Sequence, residues 1–427
     1  MKDQSGTIVG IDWSADSHTC YDLKADKSFK IPDSVKGYER LLNDYPEAVF
    51  VIEEANNRIG DYLLTNKREV YVLPPCRSKE ARKYHFSSGA KSDSLDAKAI
   101  ALTFKEHPSY CLKARYSGVG AKITKLVTMY SIVSKIHSQQ CNRLYSVLLR
   151  YFPEYLHIMD KQYRSNTSLR ILSICPTITE FKKVSNEELR KILNKENYRM
   201  TSILRKKLDR IRSEGISWGD TSCEGNLIMF LANQILTLRE EQERLREEMG
   251  ETLENSPYRI ILSIPGVKAV IGSYIVKAYL THDFRSYQEM QKYAGTIPFL
   301  FQSGRKSIML MRKKCDKDLR NMIHIAAFAS LKTCGWARNY YKRKRKEGKT
   351  YGHALRALGN IILKIAFSML SKMKEYDETL FLNAKGIKTT QQNNTIIPEA
   401  FTNPEYSQDA HPSLAATKDV VENLNVT

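Results

Sequence analysis

The chain has 427 residues, 42% of them hydrophobic, which is long enough for two or three domains and too apolar for wholesale disorder. Lysine and arginine outnumber aspartate and glutamate by 67 to 47, a formal charge of +20 that favours polyanionic partners, nucleic acid before an anionic membrane. No segment approaches 18 consecutive apolar residues, and MKDQSGTIVGIDWS lacks a basic-then-apolar leader, so no membrane span is expected and a cytoplasmic location is. The eight cysteines include no C-x-x-C pair, which points to inert thiols in a reducing compartment rather than structural zinc or disulfides.

Taken in chain order, TIVGID (7–12) reads as an apolar strand ending in an acid, HTCYDL (18–23) as an alternating partner strand, and Ser28–Ile31 as a third. Asp33 to Tyr45 has helical spacing, with Val35, Tyr38, Leu41 and Leu42 on one face. EAVFVIEE (47–54) is a continuous β-branched and aromatic run that suits a buried central strand. A helix near Ile59–Leu64, strand EVYVLPP (69–75) and a helix over Ser92–Phe104 complete a βββ-α-β-α-β-α order. From Ala121 the signal is helical, with a break expected before Pro153, and Ser185-x-x-Glu188 reads as a capping box.

Between 226 and 252, Ile228, Leu231, Ile235, Leu238, Gln242, Leu245 and Met249 step by three and four with charges between them. This predicts a short coiled coil joining chains; the competing reading is one amphipathic helix packed on its own domain. A third region begins at Tyr258 with ILSIPGV, continues through an aromatic-rich helix–loop (281–303), and runs in basic helices to about Phe381. The tail, 384–427, is rich in Asn, Thr and Pro without apolar period and reads as disordered.

Four acidic positions in the first region bear on chemistry. Asp12 ends the first strand, Glu53 and Glu54 end the central one, and Asp93 and Asp96 share a face at a helix start. Strand ends of an open sheet meet at a common rim, where such carboxylates need a cation to offset their repulsion. Oxygen-only ligands select Mg²⁺ or Mn²⁺, and two such ions suit phosphodiester chemistry. The bland alternative is that strand-end acids are common and that Asp93 only complements a helix dipole.

GIDWSADSH, VIEEAN and KSDSLDAKAIA resemble the three acidic blocks of the DEDD-type insertion-sequence transposases, the "IS-one-ten" family. LSIPGVKAVIGSYIVKAYLTHDFRSYQEMQKYAGTIPFLFQSG resembles its C-terminal transposase domain. The resemblance implies an α/β, RuvC-like (RNase H fold) N-terminal domain over 1–118, a helical and coiled-coil segment over 119–255, and a mainly α-helical C-terminal domain over 256–383. It implies that Asp12, Glu54, Asp93 and Asp96 hold metal, with Glu53 competing for the second place, and that Ser303 is a nucleophile. It also implies DNA as substrate, a structured noncoding bridge RNA as guide, homo-oligomers with shared sites, and a bacterial or archaeal, nucleoid-associated setting. The sequence departs from the family pattern at Asn56-Asn57, where Thr-Gly is usual, and at Lys268, where glycine is usual.

On this reading Ser303 attacks a phosphodiester and holds one DNA end as a phosphoserine ester. Arg305, Lys306, Arg312, Lys313 and Lys314 follow closely and suit backbone phosphates, or form only a solvated basic face. Tyr340, Tyr341, Lys342, Arg343, Lys344 and Arg345 combine charge with rings that suit RNA or single strands. The rivals are a junction-resolving nuclease that uses water, and a non-enzymatic basic coiled-coil protein that binds nucleic acid.

Overall fold

A computed structural model of the chain describes residues 7–53, 57–86, 92–114, 118–217, 219–303 and 306–379. The tail expected to be disordered lies outside them. Among the described residues one compact unit takes 7–125 and 251–379, and a second takes 126–250.

The N-terminal elements are β1 (Ile8–Asp12), β2 (Ser17–Asp22), β3 (Lys27–Pro32), α1 (Val35–Asp44), β4 (Val49–Ile52), α2 (Arg58–Thr65), β5 (Glu69–Val72), α3 (Pro75–His85), α4 (Asp93–Glu106) and β6 (Leu112–Lys113). The strands form one sheet in the order β3-β2-β1-β4-β5-β6. β1, β4 and β5 run parallel, whereas β2, β3 and β6 are antiparallel to their neighbours. This is a mixed α/β domain consistent with an RNase H-like fold.

Side chains alternate across the sheet, as strand geometry requires. Val9, Ile11, Phe50 and Ile52 face α1 and α2, packing with Tyr38, Leu41, Ile59 and Leu63. Val51 faces the other way and packs with Leu73, Ile100 and Phe104, so α4 covers the opposite side. Phe50, Val51 and Ile52 are all fully buried, as the continuous apolar run predicts. Helix α3 and strand β6 are not foreseen by the sequence reading. Pro75 closes the strand expected over 69–75, and it does so by occupying the first turn of α3.

The second unit is helical. Its long helices are α5 (Val119–Tyr151) and α11 (Ser222–Glu254), with α6 (Pro153–Met159), α7 (Asn166–Ile174), α8 (Ile178–Lys183), α9 (Asn186–Lys195) and α10 (Ser202–Glu214) between them. Ser185 and Glu188 make the expected reciprocal capping box on α9. The heptad stripe is a correction. Ile228, Leu231 and Ile235 are buried against Cys141, Leu144 and Leu148 of the same chain. Gln242 donates to Ser134 (3.0 Å), and Arg239 pairs with His137 (3.3 Å). Three residues forward on α5 match three residues back on α11, so the two helices are an antiparallel pair within one chain. The 3.5-residue period was therefore real, but the partner helix was already present in the chain.

The C-terminal part holds α12 (Ala269–Thr281), α13 (Tyr287–Tyr293), a hairpin of β7 (Phe299–Ser303) and β8 (Lys306–Leu310), α14 (Lys317–Thr333), α15 (Gly335–Lys346) and α16 (Tyr351–Lys372). Among the described residues α16 alone has the length and composition of a membrane span. Leu355, Leu358, Ile362, Leu363 and Ala366 on it are buried, as in the core helix of a bundle. Gly266 has φ +83°, and a Cβ there would lie 2.5 Å from the Ala326 carbonyl oxygen, so the ILSIPGV turn is seated on α14.

Candidate active site and nucleic-acid surface

The register of two parallel strands fixes the acidic rim. Ile11 of β1 pairs with Ile52 of β4, so Asp12 and Glu53 follow at equal height on adjacent strands. Asp12 is half-buried at the end of β1, opposite Thr19. The Glu53 carboxylate accepts a hydrogen bond from the Ser78 hydroxyl of α3. Glu54 lies outside the described residues.

Helix α4 brings the other two acids. Ser92 caps its N-terminus by accepting from the Leu95 amide (3.3 Å), which leaves Asp93 and Asp96 in the first turn. The helix lies against β1 at backbone contact: a Cβ on Gly10 would sit 2.3 Å from the Ala97 carbonyl oxygen and 2.9 Å from Ala101 Cβ. Asp96 immediately precedes Ala97, and Asp12 is two residues beyond Gly10, so one contact sets the spacing of both segments. Asp93 is exposed. Asp96 is not: Nη1 of Arg82, on α3, donates to both its oxygens, at 3.2 and 3.3 Å.

These carboxylates are hard oxygen donors of the kind Mg²⁺ or Mn²⁺ takes. Among the described residues, however, no group of three or more Asp, Glu, His or Cys is gathered as a metal requires. The donor type fits, while one of the acids is held by an arginine.

A polar network missed by the sequence reading supports this rim. His18, in β2, is fully buried. Its Nδ1 accepts from the Ser14 amide (3.5 Å), which assigns the proton to Nε2, and Nε2 donates to Asp33 (3.1 Å). Arg58, the first residue of α2, donates to the other Asp33 oxygen (3.0 Å). The network thus ties the loop after Asp12 to the helix that begins after Glu54. Burial lowers the His18 pKa, outweighing the opposing pull of Asp33. The only sequence signal was a histidine on an alternating strand, which does not reveal its partners.

The serine region is built differently. Ser303 is the last residue of β7 and pairs with Lys306, so it ends the ladder of a hairpin. Gly304 and Arg305 lie outside the described residues. Leu300, Phe301, Ile308 and Met309 on the two strands are each at least 50% exposed. A helix–loop was expected here; FLFQS-GR-KSIML instead folds as two short strands flanking a two-residue Gly-containing connection. Of the basic residues that follow, Arg312 packs over the Phe299 ring (5.6 Å), and Lys313 and Lys314 are exposed.

In α15, Lys342 and Arg343 are exposed, while Arg345 donates to the Lys349 carbonyl (3.1 Å). Arg343 and Lys344 both lie over the Tyr340 ring, at 5.0 and 5.6 Å, so the ring is already engaged by cations. Tyr341 packs edge-on against Tyr351 at 6.3 Å, an internal role that the nucleic-acid reading did not anticipate.

Comparison with known proteins agrees with both halves of this picture. Residues 9–153, which include all four acids, match a DEDD-type transposase family, and residues 258–342 match a transposase family described as IS116/IS110/IS902. The chain is 25% identical over 406 residues to the mini-circle protein of Streptomyces coelicolor named as a transposase for IS117, covering 88% of this chain and 97% of that one. It is 22% identical to the 44.8 kDa protein of insertion element IS116 from Streptomyces clavuligerus, covering 90% and 98%. A 150-residue stretch is 32% identical to the 42 kDa protein of IS900 from Mycobacterium paratuberculosis, covering 33% and 38%. An acid-rimmed sheet followed by a serine-bearing C-terminal part, matched across nearly the whole of two relatives, shows that the chain belongs to the IS110/IS116 family of insertion-sequence transposases.

Proposed function

We propose that this transposase exchanges DNA strands through a covalent phosphoserine intermediate. The Ser303 oxygen attacks a backbone phosphorus; the Oγ–P bond forms as one P–O bond to the leaving strand breaks, and that strand departs with the proton as a free hydroxyl. Reversal with a different strand's hydroxyl reseals the backbone and conserves the bond energy, so no nucleotide hydrolysis is required. The observation that carries this reading is the pinned acidic rim. Asp12 stands at the end of β1, and Asp93 and Asp96 open a helix locked to that strand through Gly10.

Asp12, Glu54, Asp93 and Asp96 would hold Mg²⁺ or Mn²⁺, with Glu53 as the alternative second acid. Such an ion supplies a lowered hydroxyl pKa and neutralises charge on the transferring phosphate. The remaining tasks fall to the chain. Lys313 and Lys314, exposed beyond the hairpin, suit phosphate contact; Arg305, Lys306 and Arg312 precede them in the sequence as further candidates. Lys342, Arg343, Lys344 and Arg345 on α15 supply charge for a structured guide RNA, with Tyr340 among them as the aromatic candidate for base contact. Because the α11 stripe is consumed within one chain, an oligomer would use other surfaces.

The test is a denaturing gel of purified protein with its element's noncoding RNA, donor and target DNA and Mg²⁺. A protein–DNA adduct should form and disappear in Ser303→Ala. Cleavage that persists in that variant makes water the nucleophile. Mixing Asp12→Ala with Ser303→Ala protein should restore activity if sites are shared between protomers. Confirmed mixed assemblies that stay inactive would place each site within one chain.

A further inference from the structure

One face of α3 touches two acidic segments at once. Ser78 donates to Glu53, and four residues later Arg82 donates to both oxygens of Asp96. The i, i+4 spacing puts both side chains on the same side of the helix. The Asp96 side chain is only 16% exposed and that of Arg82 31%, so the pair is partly withdrawn from water. A carboxylate in that setting needs a counter-charge whether or not a metal is present, and removing one partner strands the other. Pro75 fixes the start of α3 three residues after the end of β5, so Arg82 is presented by an element anchored to the sheet.

We propose that Arg82 is the resident counter-cation of the acidic rim and that α3 acts as a latch. In the metal-free protein the guanidinium neutralises Asp96. A divalent ion that takes Asp96 as a ligand must displace it, releasing that face of α3. This inference rests on the reading of the four acids as a metal site and adds its regulation. The latch keeps clustered carboxylates compensated before metal arrives and sets a threshold for metal loading. Arg82 is a positioning residue, acting through Asp96.

Two measurements on the full chain without nucleic acid test it. The first is Mn²⁺ titration followed by electron paramagnetic resonance. Arg82→Gln removes the competitor and should tighten Mn²⁺ binding about 3- to 10-fold, the range that one charge-assisted hydrogen bond in a partly exposed setting commands. Arg82→Lys keeps a positive charge at this position and should tighten it less. It also carries the test if the glutamine variant fails to fold. The second is hydrogen exchange, in which α3 amides should exchange faster in wild-type protein once Mn²⁺ is bound.

Unchanged or weaker Mn²⁺ binding in the Arg82 variants, with binding still abolished by Asp12→Asn, overturns the latch and leaves the metal site intact. Weaker binding would mean that Arg82 holds Asp96 in place for the ion. No saturable Mn²⁺ binding in any of these proteins overturns the latch together with the metal reading.

Discussion

The acidic rim and the serine hairpin are held by different kinds of force. The acids sit on a packed scaffold. Ile11 and Ile52 beside Asp12 and Glu53 are fully buried, and Gly10 leaves no room between β1 and α4. Buried His18 braces the following loop. The serine ends a two-stranded ladder on which Leu300, Phe301, Ile308 and Met309 are at least half exposed. An isolated hairpin is marginal in water, so its own two strands contribute little to holding its conformation. The contrast teaches that the acidic rim is preorganised by folding, whereas the hairpin is left largely exposed by it.

The largest effect should come from Ser303→Ala. Strand exchange should fall by at least about three orders of magnitude, as loss of a nucleophile commonly does, while the melting temperature stays within about 1 °C. A large shift in melting temperature would contradict the picture of an exposed hairpin. The converse experiment is Gly10→Ala. A methyl forced against the Ala97 carbonyl should cost roughly 1–3 kcal/mol by overpacking and should reduce activity by tilting α4. Stability is read by chemical denaturation; an unaffected protein would mean that α4 is not locked to β1.

Capping provides a smaller probe of the same scaffold. Ser92→Ala leaves the Leu95 amide unpaired and should cost about 1 kcal/mol, with Ser92→Asp restoring it. On the hairpin, Phe301→Ser and Ile308→Ser should change stability by less than about 0.5 kcal/mol, as exposed substitutions do, yet impair activity if the hairpin docks. Preserved activity would remove the need for a docking surface.

Acid should also separate the regions. The His18 pKa is lowered in the folded state, so its neutral, buried form contributes stability that is fully present above the unfolded value of about 6.5. That contribution is lost as pH falls from there towards the lower folded value, where the folded protein takes up the proton as well. Unfolding followed from pH 7 to 5 should show the loss, and His18→Gln should make it shallower, leaving the part due to His137, His282 and His324, whose pKa values burial also lowers. The hairpin, which has no histidine between 297 and 310, contributes nothing to this slope.

Much of the N-terminal architecture was legible because local rules and tertiary structure agree there. The buried run around Phe50–Ile52, the helix over 93–104 and the Ser185–Glu188 box each follow from spacing alone. The hairpin was misread because five-residue strands carry little periodicity, and the Gly304-Arg305 connection that marks it sits inside a basic run. The heptad stripe on α11 was read correctly as a pattern and wrongly as an interface, since a period specifies a seam but not whose helix fills it.

By itself, then, the sequence determined most of the N-terminal strand and helix order, though not α3 or β6, together with the acid positions and the basic surplus, because these rest on residue type and on contacts within a few residues. Family likeness, and not residue chemistry, singled out Ser303. Only the tertiary structure decided that α11 pairs with α5, that His18 reaches Asp33 and Arg58, and that Arg82 holds Asp96. Each of these joins residues 14 to about 110 positions apart, and such partners are chosen by packing of the whole chain, where a short sequence window carries no information about them.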